Sequence, residues 1–229
     1  MKPVLFNRPD LLHDPRMLTE RTRVRRRSSR GAYDPEIIHR ILDEALVCHV
    51  GFVLGGQPYV IPTIHARIDD RLYLHGAVSN RTFAAVRDGL PSCVTVTLVD
   101  GLVLARSAMH HSLNYRSVVV LGTAELVTDR DEARAALHAL VERVRPGRTA
   151  HCRAPNDAEL AATAVVALSI DEASAKIRTG PPVDDAADHA LPYWAGVIPL
   201  RSVEGAPEPD PALAAGISFP PASSKGASP

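Results

Sequence analysis

The feature that most constrains the fold is a series of strand-like runs joined by two-residue turn signals. Residues 48–54 and 57–68 are separated by Gly55-Gly56, and Asp69-Asp70 then leads into residues 71–76. Such pairs between alternating apolar runs are typical of tight β-hairpin turns. The series therefore predicts an antiparallel meander. The strand–helix alternation of a Rossmann fold and its GxGxxG motif are both absent from the sequence.

Further strand-like runs follow, and two segments are predicted as helices. Strands are predicted at 92–98 and 102–105, at 114–127 as one long strand or a bent pair, and again after residue 163. One helix should begin at Asp34-Pro35, which suit its N-cap and first position, and another covers 131–144. This pattern predicts a mainly β fold. A closed or split antiparallel β-barrel with Greek-key-like connections and flanking α-helices is favoured, since closure removes sheet edges.

The length of 229 residues predicts one domain with extensions. Residues 1–33 form an arm that contains the basic run 21–31, residues 34–200 form the barrel, and residues 201–229 are predicted to be a disordered tail rich in Pro, Ala and Ser. Aromatic residues make up only 4% of the chain, so the core should consist of Val, Leu, Ala and Ile.

Charge and hydropathy argue against nucleic-acid and membrane partners. The formal net charge is +0, and no aromatic residues are interleaved with the basic run. No apolar run approaches the ~20 residues of a membrane span, and the N-terminus lacks a signal-peptide core. Three separate cysteines without a CxxC pair indicate free thiols in a reducing cytoplasm.

The stretch RLYLHGAVSNRTFAAV, residues 71–86, changes from a strand pattern to a helix pattern at a polar corner. Gly76 ends the strand, and Ser79 stands where a helix N-cap belongs. The Ser79 hydroxyl, the Asn80 amide and the Arg81 guanidinium would join the unpaired N–H groups of the helix terminus. Such a corner is a candidate phosphate site; a capped helix with a surface arginine is the simpler alternative.

Several longer motifs together resemble a known family. They are RGAYD, LDEALVCHVGF, QPYVIPT, RLYLHGAVSNR, TVTLVDGLVLARSAMHHSLNYRSVVVLG and ASAKIRTGPP. From residue 30 to residue 200, the chain resembles the pyridoxamine 5′-phosphate oxidase-like superfamily of flavin-binding split β-barrels. Within it, the chain is most similar to the flavin-nucleotide-binding branch that includes nitroimidazole-resistance reductases.

The resemblance implies an FMN that lies across the barrel at the interface of a homodimer. By position, Ser79 and Arg81 would bind its phosphate, with Asn80 assisting. Val60, Ile61, Pro62 and Thr63 would run along the isoalloxazine, and His75 and Gly76 would lie near the ring or the ribityl chain. Only one basic residue is obvious in the phosphate turn, so a second cation, Arg116 or Lys176, should complete the site.

The polar segment 108–117 would cover the flavin of the partner subunit or form a solvated crossover. Its candidates for ring or substrate contact are His110, His111, Asn114, Tyr115 and Arg116. Histidines titrate near neutral pH, so His75, His110 and His111 are the candidate catalytic proton donors. Adjacent histidines in an extended segment point to opposite faces, so no metal site is predicted.

The expected function is that of an FMN-dependent oxidoreductase that reduces a small acceptor, such as a nitroaromatic compound. Two alternatives remain open: a non-catalytic flavin-storage module, and the same barrel holding haem or a deazaflavin coenzyme. A haem would take His75, His110 or His111 as its axial ligand. No nicotinamide-binding signature identifies the electron donor, and the resemblance does not extend to vitamin B6 oxidation.

Overall fold

The computed structural model of the protein describes residues 17–80 and 89–220. Arg81 and the helix predicted to follow it lie outside the described residues. The described part of the arm packs on the barrel: Met17 is buried in the core, and Arg21 pairs with Glu172. Residues 201–220 contain turns and neither a strand nor a helix.

The strands form two antiparallel sheets. The order in the seven-stranded sheet is β1 (Gly31–Ala32), β10 (Ala173–Arg178), β7 (Ser112–Thr123), β6 (Pro91–Leu104), β2 (Val47–Leu54) and β3 (Gln57–Ile64), and β11 (Gly196–Pro199) also pairs with β6. The order in the four-stranded sheet is β4 (Ala66–Ile68), β5 (Arg71–Ala77), β9 (Thr163–Ser169) and β8 (Glu125–Leu126). This arrangement confirms the predicted antiparallel split β-barrel.

In the described residues, three α-helices flank the sheets: α1 (Pro35–Glu44), α2 (Arg130–Val144) and α3 (Asp157–Ala162). The predicted start of α1 is confirmed. The Asp34 carboxylate accepts a 2.8 Å hydrogen bond from the backbone N–H of Glu36, which satisfies one of the unpaired donors of the first turn. None of the helices in the described ranges is long and apolar enough to cross a membrane.

Both predicted hairpin turns are present. Gly55 and Gly56 have φ angles of +58° and +80° between β2 and β3, a conformation that glycine adopts without a steric penalty. Asp69 has a φ of +50° between β4 and β5. The runs predicted separately at 92–98 and 102–105 form one strand, β6, with a register shift between Val99 and Gly101.

The core lies between the two sheets, under α1. Alternate residues of the strands point into it, as the period of two requires. Its fully buried members include Ile38, Leu42, Leu72, Val96, Val118 and Leu168. A second, smaller cluster lies on the other face of the four-stranded sheet, where Tyr73, Val165 and Ala167 pack against Ala136 of α2. This second layer creates the cleft described below.

The outer face of the seven-stranded sheet carries exposed apolar side chains. Val53, Val60 and Val99 are 55%, 64% and 42% exposed, and they alternate with residues that point into the core. Exposed apolar surface on a sheet face is a feature of protein–protein interfaces.

Candidate functional site

His75 lies on the face of β5 that points towards α2. In the β5–β9 pair, His75 is opposite Val165, and Leu74 is opposite Val166. Leu74 and Val166 belong to the main core, whereas Val165 belongs to the cluster under α2. Because residues paired across an antiparallel ladder share a face, the His75 ring lies on the α2 side of the sheet.

A cleft of about 760 Å³ opens between this sheet and α2, and His75 is part of its wall. Apolar side chains of α2 form the facing wall: Leu137, Leu140, Val141 and Val144. Ile64 at the end of β3 and Thr163 at the start of β9 also line the cleft. A volume in this range, with mostly apolar walls and few polar groups, is typical of small-molecule and cofactor sites.

The polar group of most interest in the cleft is the His75 imidazole. Its Nδ1 is inaccessible to solvent and has no hydrogen-bond partner among the residues that the structure describes. Burial lowers the pKa of His75, because the imidazolium form would lose its hydration. The ring is therefore neutral at pH 7, and a neutral imidazole is the form that binds a metal ion.

Charged and sulfur-bearing side chains line the rest of the cleft. Arg134 is paired with Asp157 at 2.9 Å, and Arg153 is paired with Glu159. Cys152 has a free, exposed thiol. Among the residues that the structure describes, no group of three or more His, Cys, Asp or Glu side chains is placed to hold a metal ion. The cleft therefore offers one buried imidazole rather than a multidentate metal site.

The predicted phosphate corner follows His75 and Gly76 directly. The chain turns after β5, where the Asn80 backbone N–H donates to the Ala77 carbonyl at 2.9 Å and the Val78 N–H donates to Ala162 at 3.1 Å. Ser79 and Asn80 are exposed at this turn. Arg81, the third predicted phosphate ligand, is outside the described residues.

Strand β3, predicted to lie along the isoalloxazine, is at the end of the order in the seven-stranded sheet. Val60 and Pro62 are opposite Gly51 and His49 and lie on the outer face, whereas Ile61 packs against the core. Thr63 is opposite the buried Cys48 and shares the inner side. Because Ile64 lines the cleft, β3 connects the outer face of the barrel to the His75 site.

The two candidates for the second phosphate cation lie on opposite faces of the sheet. Lys176 is opposite Ser117, whereas Arg116 is opposite Ile177, which packs against the core. Arg116 is bound by the carboxylates of Glu44 and Asp100, and these hydrogen bonds raise its pKa. No carboxylate lies within ion-pair distance of Lys176 in the described part of the chain.

His110 and His111 are not brought to His75. The 3₁₀ helix Ala108–His110 precedes β7, and neither histidine is among the residues that line the cleft. His110 Nε2 lies 3.4 Å from an Asp185 carboxylate oxygen, and His111 Nδ1 lies 3.1 Å from the Ser107 carbonyl. Tyr115 is on the outer face with Lys176, since it is opposite Arg178.

Comparison with known proteins identifies the family. Residues 34–177 match the family model described as pyridoxamine 5′-phosphate oxidase. The chain belongs to the pyridoxamine 5′-phosphate oxidase family. The matched range covers strands β2 to β9, nearly all of β10 and the helices α1, α2 and α3, so it contains most of the barrel and the His75 cleft.

Two solved structures of this fold are similar to the chain over most of its length. The flavocytochrome Anf3 from Azotobacter vinelandii is 44% identical, with a TM-score of 0.83, and the match covers 88% of this chain and 94% of that one. The FAD and haem binding protein from Mycobacterium smegmatis is 40% identical, with a TM-score of 0.80, over 84% of this chain and 94% of its own.

A third structure shares the fold at lower identity. A protein described as a 5-nitroimidazole antibiotic resistance protein from Bacteroides thetaiotaomicron is 24% identical, with a TM-score of 0.55, over 64% of this chain and 86% of that one. None of the curated proteins compared with the chain is similar to it at a significant level.

Sequence reasoning about this member of the oxidase family missed the α2 wall of the cleft. The 131–144 segment was predicted as a helix from its Ala and Leu content. Its apolar residues at 137, 140, 141 and 144 recur with helical spacing. This apolar stripe is the signal that one face of the helix packs against another part of the protein. The partner of that stripe is on β5 and β9, far away in sequence.

Proposed function

We propose that the protein is a flavocytochrome-like oxidoreductase that binds a flavin nucleotide and a haem in one barrel. The observation that carries this proposal is the His75 imidazole: its ring lines an apolar cleft, and its buried Nδ1 has no hydrogen-bond partner in the described part of the chain. Two relatives, at 44% and 40% identity, are described as a flavocytochrome and as an FAD and haem binding protein.

The residues of the cleft fit a haem. His75 would hold the haem iron, since burial keeps its ring in the neutral form that binds metal ions and the ring lines the cleft. The α2 side chains Leu137, Leu140 and Val141 would pack against the porphyrin. Arg134 and Arg153 would approach the propionates, and their pairing with Asp157 and Glu159 would hold the two guanidinium groups in position.

The flavin would occupy the corner beside this cleft. Its phosphate would be held by Ser79, Asn80 and Arg81, and its ring would be lined by Val60, Ile61, Pro62 and Thr63. Lys176 is the better-placed second cation, because Arg116 is already neutralised by Glu44 and Asp100. FAD is favoured over the FMN predicted from sequence, since the relative from M. smegmatis is described as binding FAD.

A protein with both a flavin and a haem can accept two electrons together and pass them on one at a time. The connection of β3 to the cleft through Ile64 supports such a pairing, because one strand would contact both groups. A small electron acceptor, such as a nitroaromatic compound, would then be reduced at the flavin or the haem. His110 and His111, on the segment before β7, remain proposed contacts of a partner subunit's site.

We further propose a homodimer with the flavin at its interface. The exposed apolar side chains Val53, Val60 and Val99 on the outer sheet face support this arrangement. Burying them against a second copy would also cover the outer side of β3, where Val60 and Pro62 point. The proposed flavin would then have protein on both sides.

The test is an absorbance spectrum of the purified protein, with any released ligand identified by mass. Flavin bands together with a Soret band, and FAD in the released fraction, are expected. If the protein shows only flavin bands even after reconstitution with added haem, it is a flavoprotein and the haem part of the proposal is wrong. Failure to bind either added flavin or added haem would overturn it. Reduction of the bound flavin by a chemical donor, followed by an acceptor screen, would distinguish turnover from storage.

A further inference from the structure

A second crevice, unrelated to the His75 cleft, lies at the opposite edge of the seven-stranded sheet. It has a volume of about 390 Å³ and is formed where the arm and β1 meet the end of β10. Arg30 and Arg178 line it together with the hydroxyl-bearing residues Ser29 and Thr179. Ile37, Ile177 and Val183 provide apolar walls, and none of the described residues that line the crevice is acidic.

Arg178 is the unusual member of this group, because it is only 6% exposed and yet forms no ion pair with any described residue. Its guanidinium donates to the Asn114 side chain and to the carbonyls of Gly180 and Pro181, all of which are uncharged. In the ranges 17–80 and 89–220, no carboxylate lies within ion-pair distance of it. A buried charge without a partner of opposite sign is strongly unfavourable.

Two other partly buried arginines show the usual arrangement. Arg116 is held by the carboxylates of Glu44 and Asp100, and Arg106 donates to the buried carboxylate of Asp184 at 3.0 Å. Asp184, the acidic residue that follows the crevice in sequence, is therefore already used by Arg106. Arg178 differs from both in having only neutral acceptors.

Arg30 adds a second positive charge to the crevice and does not neutralise the charge of Arg178. Burial and the nearby Arg30 charge both lower the pKa of Arg178. Arg30 forms no ion pair among the residues that the structure describes. The two arginines therefore stand in one crevice as a pair of like charges, which a bound anion would stabilise.

We propose that this crevice binds the phosphate group of a small molecule. The Arg30 guanidinium, the N–H groups of Arg178 that Asn114, Gly180 and Pro181 leave free, and two hydroxyl groups line the crevice, and the three or more acceptor oxygens of a phosphate suit such a set of donors. The apolar walls of Ile37, Ile177 and Val183 would contact the organic part of the ligand. This site does not depend on the flavin or the haem proposed above.

The phosphate could belong to a flavin nucleotide or to a separate phosphorylated compound. The experiment is isothermal titration of the purified full-length protein with inorganic phosphate and with pyrophosphate, at constant ionic strength. Arg30→Gln is the deciding variant because the Arg30 side chain forms no hydrogen bond or ion pair with any residue in 17–80 or 89–220. Arg25→Gln, on the same arm but paired with Glu20, is the matched control.

Saturable binding to the wild-type protein is expected, with affinity reduced about tenfold or more by Arg30→Gln and unchanged by Arg25→Gln. Arg178→Lys, checked for folding by circular dichroism, should also weaken binding, since it keeps the charge and loses the planar fork. Absence of saturable heat, or equal affinities for the Arg30 and Arg25 variants, would overturn the site.

Repeating the titration on protein saturated with FAD identifies the source of the phosphate. If added FAD blocks phosphate binding and Arg30→Gln loosens FAD, the site holds the nucleotide's own phosphate. If phosphate still binds the FAD-saturated protein, the ligand is a separate phosphorylated molecule. Either result supports the crevice as a phosphate site, and neither depends on whether haem binds at His75.

Discussion

His75 of β5 and Val165 of β9 are directly opposite each other and point together towards α2. Their neighbours Leu74 and Val166 point the other way, into the main core. A shift of one residue in this pairing would bury the imidazole in the core and remove it from the cleft. The antiparallel register of one strand pair thus positions the proposed haem ligand.

Replacing His75 by alanine should abolish the Soret band and leave the flavin bands in place. The reason is that, among the described residues lining the cleft, His75 is the imidazole on the sheet side, whereas His138 on α2 is exposed. Absorbance of the reconstituted variants measures this directly. His110→Ala and His111→Ala are the controls, and both should keep the Soret band because neither residue reaches the cleft. An unchanged Soret band in His75→Ala would place the haem elsewhere.

Replacing Ser79 or Arg81 by alanine should weaken flavin retention. Loss of one hydrogen bond to a charged phosphate corresponds to about 1.5–3 kcal/mol, or about tenfold to a hundredfold in the dissociation constant. Fluorescence quenching of titrated FAD and FMN would measure both affinities. Arg148→Ala, which removes an exposed arginine of a 3₁₀ helix, should have no effect. Unchanged affinity in both corner variants would reject this position for the phosphate.

Replacing Val60 by glutamate should dissociate the proposed dimer. Val60 is 64% exposed in the single chain, so the substitution is tolerated by the fold but buries a carboxylate in the dimer. We expect the dimer dissociation constant to rise at least about a hundredfold, as measured by sedimentation. Leu126→Glu, on β8 of the other sheet, should leave the dimer intact. A dimer that survives Val60→Glu would have its interface on another face.

The stability of the protein should fall as the pH drops below about 6.5, the ordinary histidine pKa. Burial lowers the pKa of His65, which is 1% exposed and whose Nε2 lies 2.9 Å from the Leu42 carbonyl oxygen. The unfolded chain therefore takes up protons before the folded chain does, and acid favours unfolding. Burial lowers the pKa of His39 and His75 as well, so these residues contribute with the same sign.

Urea unfolding at about pH 7 and about pH 5 would measure this dependence. His65→Gln should reduce the slope by up to about 1.4 kcal/mol per pH unit, the value for one proton. His189→Gln, at an exposed histidine, is the control and should keep the wild-type slope. Equal slopes for all three proteins would show that His65 is protonated in the folded state.

Gly55→Ala and Gly56→Ala should each destabilise the fold by about 1 kcal/mol, because a Cβ is disfavoured at positive φ. Neither glycine has an atom within 4 Å of the position that a Cβ would take, so the cost comes from the backbone alone. Gly205→Ala is the matched control, with equally open space and no positive φ, and it should be neutral. Urea midpoints of the three variants test this.

The local elements were predictable from sequence because their signals are local. The N-cap at Asp34, the α1 stripe and the turns at Gly55-Gly56 and Asp69-Asp70 all lie within a few residues of the structure that they specify. The division of residues 92–105 into two strands was wrong, because a β-bulge between Val99 and Gly101 continues the ladder across an interrupted pattern.

The candidate site was only partly predictable. The sequence indicated His75, Gly76 and Ser79 as one functional corner, since they are consecutive on a strand and its following turn. It could not separate Arg116 from Lys176, whose positions on opposite faces depend on the register of β7 with β10. Nor could it exclude His110 and His111 from the His75 cleft, because the two segments are separated by a long strand.

By itself, the sequence determined the fold class, the hairpins, the first helix and the family. These features depend on hydrophobic periodicity and turn residues within a few positions, so they can be identified from the local sequence. Only the tertiary structure decided that α2 covers His75, that Arg116 is neutralised by Glu44 and Asp100, and that Arg30 and Arg178 share one crevice without a counter-ion among the described residues. The physical reason is that burial and electrostatic pairing depend on residues distant in sequence, which strand register and sheet order alone bring together.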